Sequence, residues 1–600
     1  MKKPHGRHLR PFALAGAALT TVAFGPLPSV APATAQTRAE RADRFMQAFH
    51  DQRRFNGVVL VADEGEILYR GAFGFADDEG GPNDVSTRFR IASITKQFTA
   101  ATIMRLVEAG ALRLDAPIRD YIPEYPHPAG DSITIEHLLT HTSGIPSYTN
   151  LPSFAGEMLA TEMTPGEIVA LTWNEPLEFE PGSRFAYNNT GYVLLGWIVE
   201  RVTGRPYEEA LAELVLSPLG LEHTGYDHAK TPAAGHAAGY TRTLVGYEDA
   251  TFIDPSLPHA AGMLYSTVDD LYRWGRALVG WDPGPFDDPA TAERMMTPFL
   301  DGYGYGLGIG YRTIGREDSV RVIQHSGGIF GFATMLRVFP DHDRMIVLLD
   351  NTSSSLGPIL DGLTNLLWGA EARLPKPSIA ERLLPIVESG GPEAAMERYR
   401  NWRRTRPDDY EYGPGELMTL ARHYHDAGDG ETAAVILETH AEEFPDMPIA
   451  HYALHEIYVE MGDTTRAVSR LETALRSNPG QPNLLEALLN LGVEPPAALR
   501  MPPIEVPVEQ LGRFAGSYRV DPTTTLDVEL VDEGLTAART DEPSFRLIPQ
   551  AETTFLLEGS AIQFVFEIVG AEATAVSILE SGQRVTFPRE PASRPPTGFR

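Results

Sequence analysis

Hydrophobic and polar positions change their period several times along this chain. A helix-like stretch at 39–53 leads into NGVVLVADEGEILYRGAFGFAD, two alternating runs joined by Asp63-Glu64-Gly65-Glu66, which is the pattern of a β-hairpin. Residues 89–110 and 192–203 carry apolar positions at helical spacing, and glycine stops each run, Gly110 in the first and Gly204 after the second. Alternating runs return at 305–313, 319–324, 332–339 and 344–350, separated by Gly, Asp and Pro. Strands at both ends with helices between them predict an α/β sandwich, an antiparallel sheet drawn from both ends of the segment plus a helical subdomain.

Beyond Leu374-Pro375-Lys376-Pro377 the texture becomes helical. Leu420, Tyr424, Gly428-Asp429, Ala433, Leu437-Glu438-Thr439 and Pro445 recur 34 residues later as Leu454, Tyr458, Gly462-Asp463, Ala467, Leu471-Glu472-Thr473 and Pro479. That period resembles a tetratricopeptide pair. Two such units rarely bury a core alone, so flanking helices at 378–405 and 483–491 are expected to pack on them. A second proline cluster, Pro495-Pro496 to Pro507, precedes short alternating runs from Leu511 to Pro588 that predict a small antiparallel β-barrel or sandwich. The expected order is therefore a leader at 1–35, an α/β domain at 36–372, a linker and helix at 373–409, helical repeats at 410–495, a Pro-rich linker at 496–510 and a β domain at 511–590.

The leader is read from a basic start ending at Arg10, a short apolar segment from Phe12 to Phe24, Ala33-Thr34-Ala35 and no acid in 35 residues. This is the layout of a secretory signal peptide cleaved near Ala35, giving a secreted or periplasmic protein with no integral membrane segment afterwards. The whole chain has 600 residues and a formal charge of −31; loss of Lys2, Lys3, Arg7 and Arg10 with the leader takes it to −35. Such a field repels phosphate polymers, so a nucleic-acid partner is not expected. With no cysteine there is no disulfide, thiol nucleophile or thiolate metal site.

Serine needs a neighbouring base and donors for a developing oxyanion before it can act as a nucleophile. Ser93-Ile94-Thr95-Lys96 places a lysine one helical turn from a serine, on the same face. Lysine occurs only at 2, 3, 96, 230 and 376, whereas arginine supplies the other 45 basic residues. A guanidinium cannot be deprotonated and an amine can, so Lys96 reads as chosen for its proton. Apolar neighbours are expected to lower its pKa.

Two further motifs belong with this pair. Tyr187-Asn188-Asn189 stands in PGSRFAYNNTGYVLLGWIVE, just before a helix, where Tyr187 would serve as base if cationic neighbours lowered its pKa and Asn189 would donate to a substrate carbonyl. His325-Ser326-Gly327-Gly328 follows the apolar run VRVIQ, and its glycines let a substrate approach a strand. Tyr148-Thr149-Asn150 and His223-Thr224-Gly225 match the same letters in less suitable surroundings.

Together these elements, over about 40–372, resemble the serine β-lactamase and penicillin-binding-protein superfamily, closest to its class C-like branch, which includes DD-peptidases, D-aminopeptidases and carboxylesterases. The C-terminal runs resemble the lipocalin-like domain often appended to such hydrolases. The resemblance implies a β-lactamase/transpeptidase-like fold and an acyl-enzyme on Ser93. It implies Lys96 and Tyr187 as proton carriers, Asn189 with His325, Ser326 and Gly327 as substrate contacts, and the N–H groups of Ser93 and Gly328 as the oxyanion hole. LLTHTSGIPSY at 138–148 and YGYGLGIGY at 303–311 read as family scaffold. His325 stands where a lysine is usual, and histidine with a pKa near 6.5 is a cation only part of the time, which weighs against strong β-lactamase activity.

No metal, phosphate-loop or dinucleotide motif is present, so no cofactor is expected. The reading is an exported serine hydrolase acting on a small amide or ester: a D-amino-acid peptide, a carboxylester or a β-lactam-like substrate. Its helical repeats are free for a protein or peptide partner. The rival reading makes the front domain a catalytically weak penicillin-binding or peptide-binding sensor.

Overall fold

All seven residues of the first strand, β1 (Gly57–Asp63), are buried, because both faces of its sheet are covered. A computed structural model describes residues 37–590 apart from 78–80, 127, 152, 229–232, 316, 446, 478–480, 496–505, 521–523, 532–533, 541–543, 552, 558–561, 570–571 and 581–582. The expected leader and most of the proline-rich joint at 496–510 lie outside the described residues.

The sheet continues with β2 (Glu66–Phe73), β3 (Gly308–Ile314), β4 (Glu317–Ile329), β5 (Phe332–Phe339) and β6 (Arg344–Asp350), in the spatial order β2-β1-β6-β5-β4-β3. Every pairing is antiparallel. The strands at 57–73 thus close against those at 308–350, as the two separated groups of alternating runs predict. Period-two alternation sends Val58, Leu60, Leu336 and Val347 into one core and Val59, Val61, Ile346 and Leu348 into a second.

Helices α1 (Arg38–Asp51), α2 (Thr95–Glu108), α3 (Asn189–Thr203) and α4 (Gly357–Leu367) cover these faces. α1 and α4 close the second core, where a Cβ on Gly362 would lie 2.1 Å from Phe45, so only glycine allows the two helices this approach. α2 and α3 belong to the first core with the helical subdomain. The helix expected at 89–110 starts later than its apolar spacing implies. Phe89–Arg90 pairs as a strand with Tyr265 and Ser266, and Ala92–Ile94 forms a 3-10 turn before α2. Tertiary pairing overrides local periodicity there.

The rear of the chain holds α5 (Ile379–Thr405), α6 (Pro414–Asp426), α7 (Gly430–Glu443), α8 (Ile449–Glu460), α9 (Thr464–Ser477) and α10 (Pro482–Asn490). The repeated Gly-Asp has a structural reason. Gly428 and Gly462 take φ +82° and +77° at the ends of α6 and α8, and Asp429 and Asp463 accept the N–H of Thr432 and Arg466 at the starts of α7 and α9. α5 is bent at Gly391 and Pro392. The front domain meets these helices through Leu244, buried in their core, and through Arg53 and Arg242, both 2.8 Å from Glu381.

Eight strands follow, β7 (Gly516–Arg519), β8 (Thr525–Val531), β9 (Gly534–Arg539), β10 (Phe545–Ala551), β11 (Thr554–Leu557), β12 (Gln563–Val569), β13 (Glu572–Glu580) and β14 (Gln583–Pro588), each paired with the next. Tyr518 bridges Arg589, and the Glu590 N–H donates to Ser517 at 2.7 Å, bringing the ends of this sheet together as a near-barrel. Among the described residues no helix is long and apolar enough to cross a membrane.

Candidate active site

Ser93 stands in the 3-10 turn between the strand at Phe89–Arg90 and α2. The turn is held on two sides: Ile91 donates its N–H to Leu264 at 2.8 Å, and the Ile91 carbonyl accepts Thr334 Oγ1 at 2.9 Å. Ala92 takes φ +46°, a strained value for a residue with a side chain, next to the nucleophile candidate. No side chain caps the start of α2; the Thr95 N–H donates instead to the Ala92 and Ser93 carbonyls of the preceding turn.

Lys96 is completely buried. Its Nζ lies 3.1 Å from Ser93 Oγ, 2.8 Å from Asn189 Oδ1 and 2.8 Å from the Ala261 carbonyl. Among the described residues no carboxylate pairs with it, and burial holds its pKa well below the ordinary lysine value. The amide and carbonyl oxygens are obligate acceptors. A neutral amine has two N–H bonds and one lone pair, so with two partners fixed as acceptors the lone pair falls toward the Ser93 hydroxyl.

Asn188 caps α3 by accepting the Gly191 N–H at 2.7 Å, which puts Asn189 at the first helical position and Tyr187 on the loop before it. Asn189 is fixed from three directions. Its Oδ1 accepts from Lys96, its Nδ2 donates to Thr149 Oγ1 at 3.1 Å, and its N–H donates to Ser147 Oγ at 3.1 Å. One face of Tyr187 is open to solvent, at 39% exposure, while Lys96 Nζ sits 4.8 Å from the ring centre. Burial of the phenol raises its pKa, against the smaller opposing effect of a hydrogen bond with Ser93. Burial outweighs that hydrogen bond, so the condition on which Tyr187 was expected to act as base, a pKa lowered by cationic neighbours, is not met in the resting site.

His325, Ser326, Gly327 and Gly328 lie within β4, past Gln324, where the pairing with β3 ends. Ser326 and Gly328 are exposed, and His325 and Gly327 are buried. A Cβ on Gly327 would meet both the Ile91 carbonyl and Thr334 Oγ1 at 2.2 Å, so this glycine lets the strand press on the turn that carries Ser93. Nothing lies within 4 Å of a Cβ built on Gly328. Ser93, Asn189 and Gly328 line one cavity of about 540 Å³, walled by Tyr148, Phe154 and Phe332. A larger cavity, about 950 Å³, lies in the helical repeats and contains none of these residues.

The two look-alike motifs have structural roles. Tyr148 is buried and donates to the Leu257 carbonyl at 2.7 Å, and the His223 N–H donates to Asp270 at 2.8 Å. The motifs read as scaffold do more than frame the site: Ser147 and Thr149 hold Asn189, Tyr303 donates to His325, and Gly306 packs where a Cβ would lie 2.6 Å from the Lys96 carbonyl. The Ala261 carbonyl carries no side-chain signature and was invisible in the sequence. Among the described residues no group of three or more His, Asp or Glu has metal-binding geometry.

Comparison with known proteins agrees with this geometry. The Beta-lactamase family profile matches residues 42–365, and the Tetratricopeptide repeat profile matches residues 424–491. Penicillin-binding protein 4* of Bacillus subtilis is 28% identical over 365 residues, 57% of this chain and 78% of the relative. Esterase EstB of Burkholderia gladioli is 30% identical over 390 residues, 56% of this chain and 96% of the relative. The solved structure of EstCE1, a hydrolase with promiscuous acyltransferase activity, shares the fold at 23% identity and a TM-score of 0.50, covering 55% of this chain and 98% of that one. The chain belongs to the Beta-lactamase family of serine hydrolases related to penicillin-binding proteins, and carries tetratricopeptide repeats behind the hydrolase domain.

Proposed function

We propose that this protein is an exported hydrolase that forms an acyl-enzyme on Ser93 and cleaves small esters or amides whose acyl group is neutral and apolar. The observation that carries the reading is the placement of Lys96 Nζ 3.1 Å from Ser93 Oγ with two obligate acceptors as its other partners, so that the amine once neutral turns its lone pair to the serine. Lys96 takes the Ser93 proton as Oγ bonds to the substrate carbonyl carbon, and the N–H groups of Ser93 and Gly328 receive the oxyanion. The proton then passes to the leaving alcohol or amine, with the Tyr187 hydroxyl as relay. Water repeats the sequence on the acyl-enzyme, releasing the acid and restoring Ser93.

Aromatic walls at Tyr148, Phe154, Phe330 and Phe332 support an apolar acyl group, and among the described residues no Lys or Arg lines this cavity. Of the expected substrate contacts, Asn189 lines the cavity and Ser326 is exposed on the strand beside it, while His325 and Gly327 are buried and support that strand from behind. A relative that is an esterase and another that is a penicillin-binding protein bracket the choice. Export follows from the leader read at 1–35. In the repeats, the larger groove offers a peptide or protein partner Asp426, Glu456 and Glu460 beside Arg422.

The test is labelling of the full chain by a fluorophosphonate, followed by turnover of a nitrophenyl ester, a D-amino-acid amide and a cephalosporin. Labelling lost in Ser93→Ala with ester turnover in the parent supports the reading. Labelling without turnover of any substrate favours the sensor reading, and undiminished labelling of Ser93→Ala removes Ser93 as nucleophile.

A further inference from the structure

His141 belongs to none of the roles above, yet it lies directly behind the Tyr187 loop. It is 1% exposed and takes φ +56°, a region that Asn, Asp and His enter far more readily than other residues with side chains. Its carbonyl accepts the Ala186 N–H at 2.9 Å, and its Nδ1 accepts the Asn188 N–H at 3.0 Å. The N–H groups of the residues before and after Tyr187 are therefore both bonded to one residue. The imidazole ring also packs 4.3 Å from the Tyr187 ring, 4.7 Å from Tyr303 and 5.1 Å from Tyr192.

We propose that His141 is a positioning residue, which fixes the Tyr187 phenol beside Ser93 and Lys96 by holding the backbone N–H groups that flank it. Any residue at 141 supplies the carbonyl, so the specific contribution is an acceptor at Nδ1. That bond puts the single ring hydrogen on Nε2, which has no hydrogen-bond partner among the described residues. Burial, together with the neighbouring Lys96 and His325, holds the imidazole well below its ordinary pKa, consistent with an acceptor that stays neutral. A protonated Nδ1 would face the Asn188 N–H donor to donor. The left-handed backbone and the short reach to Asn188 together restrict position 141 to residues with an acceptor atom bonded to Cγ, as Nδ1 of His and Oδ1 of Asn are.

The inference rests on Tyr187 acting with Lys96, and the experiment separates the two claims. In the full chain, kcat, KM and the pH profile of ester hydrolysis are compared for H141N, H141G and Y187F, with thermal melting of each. Asn tolerates the backbone and places Oδ1 near the position of Nδ1, whereas Gly keeps the backbone and removes the acceptor. The expectation is that H141N keeps at least about a third of kcat with unshifted pH limbs, while H141G loses at least about tenfold in kcat with KM changed less than about threefold, since an ångström of misplacement costs up to about 10²-fold. H141Q, whose acceptor sits one bond farther out, takes the place of H141G if that variant does not melt cooperatively, with the same expected loss. Parental kcat in H141G or H141Q overturns the proposal, as does a loss in H141N as deep as theirs, or a shifted pH limb in H141N, which would give the imidazole a proton-carrying role. Parental activity in Y187F overturns the underlying assignment instead.

Discussion

Tyr303 donates its hydroxyl hydrogen to Nε2 of His325 across 2.8 Å, and on the far side of the ring Nδ1 lies 2.6 Å from the Ser326 carbonyl. A carbonyl can only accept, so Nδ1 carries the ring hydrogen and Nε2 is free to accept from the phenol. Both nitrogens are satisfied in the neutral imidazole. Burial, reinforced by Lys96, pushes the His325 pKa down to about 4. The residue that stands in the usual lysine position is therefore uncharged at neutral pH.

This bears on substrate choice. For an acyl donor carrying a carboxylate, the ratio of kcat/KM to that of its methyl ester should stay flat from pH 8 to pH 5, because the imidazolium forms only as pH falls toward about 4. A ratio climbing more than about threefold as pH drops through about 6.5 would show an ordinary histidine pKa and a cationic anchor.

Lys96→Arg keeps a cation but removes the lone pair, and kcat on a small ester should fall by at least about 10²-fold. In the parent enzyme burial lowers the amine pKa, so activity should rise with pH as Lys96 loses its proton, at a lower pH than an ordinary lysine does. The same limb should be missing from the residual activity of the variant. Retention of most activity by Lys96→Arg would reduce the amine to an electrostatic role.

Gly327→Ala introduces a methyl group 2.2 Å from the Ile91 carbonyl and from Thr334 Oγ1. Relief requires β4 to move off the turn that carries Ser93, at a cost of about 1–3 kcal/mol. The melting temperature and the rate of fluorophosphonate labelling should fall together. Gly328→Ala, where the added methyl meets nothing within 4 Å, is the folding control and should melt like the parent.

Both cores of the α/β domain are built from residues between Ala42 and Ala372, and among the described residues of the front domain only Leu244 enters the core of the helices behind it. Residues 36–372 expressed alone should fold and hydrolyse a nitrophenyl ester at close to the rate of the full chain. Leu244→Ser in the truncated protein should improve its solubility without changing that rate, since truncation uncovers this side chain. A soluble, folded truncation without activity would show that the rear domains complete the site.

Much of the fold was legible because its cues are local. The hairpin at 57–73, the helix ending at Gly204 and the repeated Gly-Asp pairs follow from side-chain period and from backbone angles that few residues adopt. The start of α2 was not legible. Phe89 and Arg90 have helical spacing but pair with Tyr265 and Ser266, and no local pattern encodes a partner about 175 residues away.

The chemistry divides in the same way. Ser93 and Lys96 lie one helical turn apart, and their proximity was set by the sequence itself. What Lys96 does with its proton was decided by the tertiary structure. Its other two hydrogen-bond partners come from positions 189 and 261, its desolvation comes from the packed core, and the same desolvation raises the Tyr187 phenol instead of lowering it. Residue types and short spacings are written along the chain, whereas a protonation state depends on which distant groups exclude water from an atom, and those groups meet only when the chain has folded.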